Sequence, residues 1–66
     1  MDMIVNGKPV QVEGAATVSQ LLEQLGFAGK RVAVEKNGEI VPKSVHAETA
    51  ISAADKIEIV VAVGGG

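Results

Sequence analysis

The stretch TVSQLLEQLG, residues 17–26, predicts the one main helix of this chain. Thr17 and Gln20 fit a capping box, in which each side chain accepts a hydrogen bond from the backbone N–H of the other residue. Gly26 stands where a helix that ends in the left-handed conformation places its glycine. An apolar stripe recurs at helical spacing at Val18, Leu21, Leu22 and Leu25. Because a domain of this size offers no second helix, we expect this stripe to form the core rather than a binding groove.

Two short runs before the helix predict a hairpin of strands. Met3-Ile4-Val5 is apolar, and residues 10–13 alternate so that Val10 and Val12 share one face. Asn6-Gly7 lies between the two runs and indicates a tight turn, because both residues tolerate a positive φ.

The residues after the helix predict a second hairpin. Residues 32–36 have the pattern of a strand, Asn37-Gly38 repeats the turn signal, and Ile40-Val41 forms a short return strand. Pro42 has no N–H to donate, so this strand is expected to end there or to lie on an edge of the sheet. We expect an irregular stretch to follow, with a helical turn over residues 44–47.

The last strand is predicted over residues 57–63. Of its even positions, Glu58 is polar but Val60 and Ala62 are apolar. An apolar second face suggests a surface that docks a partner protein. A central strand that is buried on both faces would show the same pattern, so the sequence leaves both interpretations open. The odd positions are expected to face the core: Ile57, Ile59, Val61 and Val63.

The order of elements is strand, strand, helix, strand, short strand, strand. The first and last strands have the most continuous apolar runs, so we expect them to form the central pair of the sheet. A helix that crosses one face of such a mixed sheet gives an α+β fold of the β-grasp type, with four to five strands. We expect a single domain over residues 1–63 and a flexible glycine tail over residues 64–66.

Composition excludes several classes of function. The chain has 66 residues, no cysteine and a net charge of −2, so disulfides and thiolate metal sites are excluded and nucleic acid is disfavoured as a partner. The single histidine, His46, cannot hold a metal alone. No apolar stretch approaches the roughly 20 residues that cross a membrane. We expect a soluble cytoplasmic protein.

The chain also lacks the residue patterns of catalysis. Ser44 and His46 are too close in sequence to suggest more than a polar loop, and Asp55 with Glu58 are better explained as solvated charges or a turn cap than as an acid–base pair. The C-terminal carboxylate of Gly66 remains as the reactive group. Glycine-rich ends are also common as linkers, but here Gly64 and Gly65 would give that carboxylate a thin arm that can enter a narrow channel.

Over essentially its whole length, the chain resembles the sulfur carrier family of bacterial thiamine biosynthesis. A terminal diglycine alone is a weak motif, but its combination with the internal segments on so short a chain is specific. The segments that carry the resemblance are Val5-Asn6-Gly7, Thr17-Val18 with Leu21-Leu22, Val32-Ala33-Val34-Glu35 with Asn37-Gly38, Ile40-Val41-Pro42-Lys43-Ser44, Ile57-Glu58-Ile59-Val60 and Ala62-Val63-Gly64-Gly65-Gly66.

The resemblance implies a ubiquitin-like fold and a role as a protein cosubstrate rather than an enzyme. An adenylyltransferase related to ubiquitin-activating enzymes would activate Gly66 with ATP, and the chain itself would bind no cofactor. Sulfur relayed from cysteine by a desulfurase would give a C-terminal thiocarboxylate, which thiazole synthase would accept. Gly65 and Gly66 match the functional tail of the family, and Gly64 is a further spacer.

In one respect the chain departs from the family pattern. The family usually has Asp-Gly-Asp before the last strand, where this chain has Ala53-Ala54-Asp55. Ala54 would be strained at a positive φ, so we expect a different turn type there. The departure affects the turn and leaves the chemistry of the tail unchanged.

Other functions remain open at this point. The small subunit of molybdopterin synthase shares the fold, the tail and the thiocarboxylate, although its members tend to be longer. A ubiquitin-like modifier would instead be joined through Gly66 to a lysine of a target. A structural β-grasp domain with an idle tail would need neither reaction.

Overall fold

The computed structural model describes residues 1–62 and shows a five-stranded mixed sheet with one α-helix against one face. The spatial order of strands is β2-β1-β5-β3-β4, in which β1 and β5 are parallel and the other pairs are antiparallel. The predicted pairing of the first and last strands is confirmed. The elements are β1 (Asp2–Val5), β2 (Lys8–Gln11), α1 (Val18–Gln24), β3 (Val32–Lys36), β4 (Glu39–Val41), a 3-10 helix (Lys43–Val45) and β5 (Lys56–Val61).

Both predicted hairpins are present, and both turn on an Asn-Gly pair. Asn6 has φ 52° and Gly7 has φ 79°, while Asn37 and Gly38 have φ 52° and 85°. Positive φ at both central residues defines the tight turn that matches the twist of the flanking strands. Strand β2 begins two residues earlier than predicted and ends at Gln11.

Both ends of α1 are closed as the sequence indicates. The hydroxyl of Thr17 accepts a hydrogen bond from the N–H of Gln20 at 3.3 Å, and the side-chain oxygen of Gln20 accepts one from the N–H of Thr17 at 3.2 Å. At the other end Gly26 has φ 83°, and the N–H of Phe27 donates to the carbonyl of Leu22 at 2.8 Å. This is a Schellman ending, and it directs the chain back toward the core.

The core lies between α1 and the inner face of the sheet. Residues 43–51 complete it and pair with the first turn of α1, because Val18 N–H donates to the carbonyl of Thr49 and Ser19 N–H to that of His46. These two bonds satisfy backbone donors that a helix N-terminus leaves free. The buried apolar residues are Met3, Val5, Val12, Val18, Leu21, Leu22, Val34, Val41, Ile51, Ile57 and Ile59.

His46 is a structural residue rather than part of a solvated loop. It is buried, and its Nε2 lies 3.0 Å from the carbonyl oxygen of Val41. A carbonyl oxygen only accepts hydrogen bonds, so Nε2 carries a hydrogen and donates the hydrogen bond to the carbonyl of Val41. The predicted helical turn is present one residue early, as the 3-10 helix Lys43–Val45.

One expectation for the last strand is wrong. Ile57 and Ile59 face the core as predicted, but Val61 is 45% exposed. Val61 pairs with Val32, the first residue of β3, so it lies on the last rung of the sheet, where Val32 itself is only half-buried. The core layer ends before this rung. Val63 and the tail residues Gly64, Gly65 and Gly66 lie outside the described residues.

The turn at Ala53-Ala54 has no residue at positive φ, as expected for a turn that lacks the glycine of the family pattern. Within residues 1–62 the non-glycine residues with positive φ are Asn6 and Asn37, so Ala54 is unstrained. The turn is closed by Asp55, whose N–H donates to the carbonyl of Ser52 at 3.0 Å and whose carboxylate accepts from the N–H of Ser52 at 2.8 Å. Asp55 is thus a turn cap, but it is buried rather than solvated.

Candidate functional site

The candidate site is the C-terminal end of β5 and the sheet face that points away from α1. Val60 is 61% exposed and lies opposite Ala33 of β3, and Ala62 follows two residues later on the same face. Ile40 of β4 is 75% exposed and pairs with Glu35, two residues along β3 from Ala33 and on the same face. We call Ala33, Ile40, Val60 and Ala62 the outer-face patch.

Of the two interpretations that the pattern of β5 left open, the structure contradicts burial on both faces. Strand β5 is central, with β1 on one side and β3 on the other. Its even positions nevertheless remain exposed, because α1 packs on the opposite face and no described element covers this one. Ile4 is also exposed on this face, but it pairs with Lys56, four residues before Val60 on β5, and is not part of the patch.

Charged residues border the outer-face patch on the side away from the tail. Glu35 and Glu58 are directly paired across β3 and β5, and Glu35 also pairs with Ile40. Like charges directly opposite each other destabilise a sheet, so this pair opposes folding slightly. It gives the border of the patch a negative charge.

The C-terminal end of β5 and the residue that follows it are held from both sides. On one side, Ala62 N–H donates to the carbonyl of Arg31 at 2.9 Å. On the other, the amide of Asn6 bonds both backbone groups of Ile59: its Nδ2 donates to the carbonyl at 3.1 Å, and its Oδ1 accepts from the N–H at 2.7 Å. We call this pair of bonds the Asn6 bridge. It extends the ladder between β1 and β5 beyond the last residue of β1.

Sequence reasoning missed the Asn6 bridge. Asn6 was interpreted only as a turn residue, and its partner Ile59 is 53 positions away. The available signal was the identity of the residue, because a turn alone accepts aspartate or glycine, and asparagine adds a side-chain donor and acceptor in one group.

Asn37 plays a related part where β5 begins. Its Oδ1 accepts from Lys56 N–H at 2.9 Å, and its Nδ2 donates to Asp55 at 2.9 Å. Burial by itself would raise the pKa of the Asp55 carboxyl. The hydrogen bonds from Asn37 and from the N–H of Ser52, with the charge of Lys36 at 3.8 Å, outweigh that effect and hold the pKa below its ordinary value of 3.8.

The described part of the chain offers no site for a metal ion. Over residues 1–62, no group of three or more His, Asp or Glu side chains comes together. The same residues contain no helix long and apolar enough to span a bilayer. The proposed reactive residue, Gly66, lies outside the described residues together with Gly64 and Gly65. Val60 of β5 is exposed, and so is Ala62, which follows the end of the strand.

A parallel central strand pair, two short hairpins and one helix across a mixed sheet define a β-grasp fold, so this is a small ubiquitin-like protein. A model of the ThiS family matches residues 3–66, nearly the whole chain. The chain belongs to the ThiS family.

Individual relatives agree with this assignment. The chain is similar to the sulfur carrier protein ThiS of Bacillus subtilis, with 40% identity over 63 residues that cover 94% of this chain and 96% of that protein. It is similar to the crystal structure of a thiamine biosynthesis protein (ThiS) from Geobacter metallireducens, with a TM-score of 0.83, 38% identity and full coverage of both chains.

A thiazole synthase from Paramagnetospirillum magneticum is 46% identical over all 66 residues, but the match covers only 20% of that protein. The thiazole synthase of Magnetococcus marinus matches at 38% identity with the same coverage. The chain therefore spans one fifth of the length of these two relatives.

Proposed function

We propose that this chain is a sulfur carrier protein of thiamine biosynthesis, a cytoplasmic cosubstrate on which partner enzymes act. The family match carries the proposal, because it runs through residue 66 and so includes the glycine tail. The likeness to the Bacillus subtilis sulfur carrier supports it further, since it covers nearly the full length of both proteins.

The chemistry takes place at the carboxylate of Gly66. A terminal carboxyl has a pKa near 3.3–3.7, so at neutral pH it is an anion and a poor acyl electrophile. In the proposed reaction a partner adenylyltransferase joins a carboxylate oxygen to the α-phosphorus of ATP, and pyrophosphate leaves. A sulfur nucleophile then attacks the carbonyl carbon, and AMP leaves with the oxygen. Glycine suits this reaction because it has no Cβ to hinder the attack.

The sulfur donor and acceptor are other proteins. A cysteine desulfurase or a related donor supplies the sulfur as a persulfide, and after acylation a thiol reductant cleaves the S–S bond to leave the thiocarboxylate. Thiazole synthase then accepts the sulfur from the thiocarboxylate. The two thiazole synthase relatives support this acceptor, because a segment similar to the whole of this chain is covalently part of each of them.

The outer-face patch is the proposed docking surface for the partner enzymes. Val60 and Ala62 are exposed and apolar, and Ala62 lies four residues before Gly66. A charge in a buried apolar contact loses its hydration without a partner. We expect Ala62→Asp to weaken adenylation at least about tenfold, because 1.4 kcal/mol of lost contact energy corresponds to that factor.

Ala16→Asp is the matched control for this test. Ala16 is also exposed, but it precedes α1 and does not belong to the outer-face patch, so the same chemical change should leave adenylation unaltered. Thermal unfolding of both variants checks that each is folded. Unaltered adenylation of the Ala62→Asp protein would contradict the docking surface.

The tail chemistry is tested by mass spectrometry of the intact protein with fragmentation. The protein is incubated with ATP, a sulfide source and the adenylyltransferase. The expected result is replacement of one oxygen by sulfur at Gly66. Fragmentation is essential because oxidation of Met1 or Met3 adds almost the same mass. A protein lacking Gly65 and Gly66 should bind the adenylyltransferase but remain unmodified, and an unmodified Gly66 in the complete chain would overturn the proposal.

A further inference from the structure

A groove on the helix side of the sheet collects half of the positive charges of the chain. It has a volume of about 460 Å³ and lies between the loop that follows α1 and the 3-10 helix. Its rim includes Lys30, Arg31 and Lys43, three of the six cationic side chains. Among the described residues that line it, Glu23 is the sole carboxylate, although the chain as a whole has a net charge of −2.

The groove also has an apolar wall. Phe27, the one aromatic residue of the chain, and Val32 are half-buried and pack against the core, so each keeps part of its apolar surface exposed. Leu22 lies deeper and is buried. An apolar wall beneath a charged rim is the arrangement in which one side chain of a partner inserts while its neighbours form ion pairs.

The cations of the rim are available to a partner. All three side chains are exposed, and the ion pair within residues 1–62 is formed elsewhere, between Lys36 and Asp55. The three cations come from two different segments, residues 30–31 and residue 43. Exposed cations distributed along an open rim suit an extended acidic chain better than a small anion, which is held by donors that converge on one point.

We propose that this groove, which we call the basic groove, docks an acidic segment of a partner protein, with one apolar side chain of that segment against Phe27 and Val32. The basic groove and the outer-face patch lie on opposite faces of the sheet, so both can be occupied at the same time. Docking in the basic groove requires neither the glycine tail nor a chemical step, and it can therefore be tested whether or not the proposed sulfur chemistry is correct.

The test is a titration of the isotope-labelled chain, followed by NMR, with a synthetic peptide in which glutamates flank a Leu-Phe pair. We expect shifts in the amides of residues 27–32 and 43–47 and none around Val60. Binding should weaken as ionic strength rises, because exposed charges are screened over about 8 Å at physiological salt. The double variant Arg31→Glu, Lys43→Glu should bind roughly tenfold more weakly, since it removes two ion pairs and adds repulsion.

The controls separate the charge of the rim from charge in general. Lys8→Glu with Lys56→Glu makes the same net change away from the groove and should leave binding within about twofold. The neutral double variant Arg31→Gln, Lys43→Gln provides a milder form of the test if the charge reversal unfolds the chain.

Several results would overturn the proposal. One is equal binding of a peptide with glutamine in place of glutamate, and another is equal weakening by the two charge reversals. The same shifts with inorganic phosphate alone would assign the groove to small anions instead. The same shifts on concentrating the chain without peptide would assign it to self-association.

Discussion

Removing the Asn6 bridge tests how the last strand is held in the sheet. Asn6→Gly deletes both side-chain bonds to Ile59 but leaves the backbone unstrained, because glycine adopts φ 52° freely. The N–H of Ile59 then loses its partner within the central strand. An unsatisfied buried donor costs about 1–3 kcal/mol, and we expect about 2 kcal/mol of lost stability.

Asn6→Ala separates the bridge from the turn. It loses the same two bonds but, unlike Asn6→Gly, keeps a Cβ in the left-handed region without the polar side chain that lets asparagine adopt it, which costs about 1 kcal/mol more. The expected order of stability is the unmodified chain, then Asn6→Gly, then Asn6→Ala. A chain of this length has a total stability of only about 3–10 kcal/mol, so both steps are measurable.

Urea unfolding measures these differences. A less stable variant unfolds at a lower urea concentration, while the slope of the free energy of unfolding against urea concentration stays constant for a two-state chain. Hydrogen exchange gives a local measurement. In Asn6→Gly, exchange at the amide of Ile59 should accelerate more than exchange at the amide of Glu58, whose N–H faces β3. Gln11→Ala is the control: its side chain makes one exposed bond of 3.4 Å, and the change should stay within about 0.5 kcal/mol. If Asn6→Gly matches the unmodified chain in both measurements, the bridge does not hold β5.

Three further changes test other parts of the fold by the same urea assay. Leu21→Ala empties a site that is 0% exposed and should cost about 2–5 kcal/mol; a loss below 1 kcal/mol would contradict its place in the core. Gly26→Ala should cost only about 1 kcal/mol, since a Cβ there meets no atom within 4 Å and the penalty is the φ of 83°; a larger loss would reveal a clash. The folded pKa of Asp55 is depressed, so its contribution is present above the ordinary value of 3.8 and is lost as the pH falls through the folded pKa. Asp55→Asn should therefore be less stable than the unmodified chain at neutral pH and lose less stability on acidification, and parallel pH profiles would refute this.

The parts of the fold that the sequence predicts well are those set by neighbouring residues. The capping box of Thr17 and Gln20, the Gly26 ending and the two Asn-Gly turns all act over a few positions, and each is present. The pairing of the first and last strands was predictable for a different reason: the longest apolar runs belong where the sheet has neighbours on both sides.

The features that the sequence did not predict depend on where distant segments meet. The exposure of Val61 depends on how far the core layer extends along β5, which strand alternation does not encode. The burial of Asp55 depends on Asn37, 18 positions earlier, as the second role of Asn6 depends on Ile59. In the last two cases a polar side chain performs a local task that the sequence reveals and a distant one that it does not.

The end of β5 is held by the same arrangement. The end of an edge strand could move when that edge frays, whereas β5 is central: β1 pairs with its first residues, the Asn6 bridge continues on that side to Ile59, and β3 pairs with it as far as Val61. The last described residue, Ala62, is bonded to Arg31, and Ile59 is bonded to Asn6 just before it. Central strands open only in events close to global unfolding, so the last described residues keep their place in the sheet for as long as the fold persists. A partner that recognises the outer-face patch would therefore meet Val60 and Ala62 in a fixed place, and destabilising the Asn6 bridge should impair the proposed adenylation even though Asn6 need touch no partner.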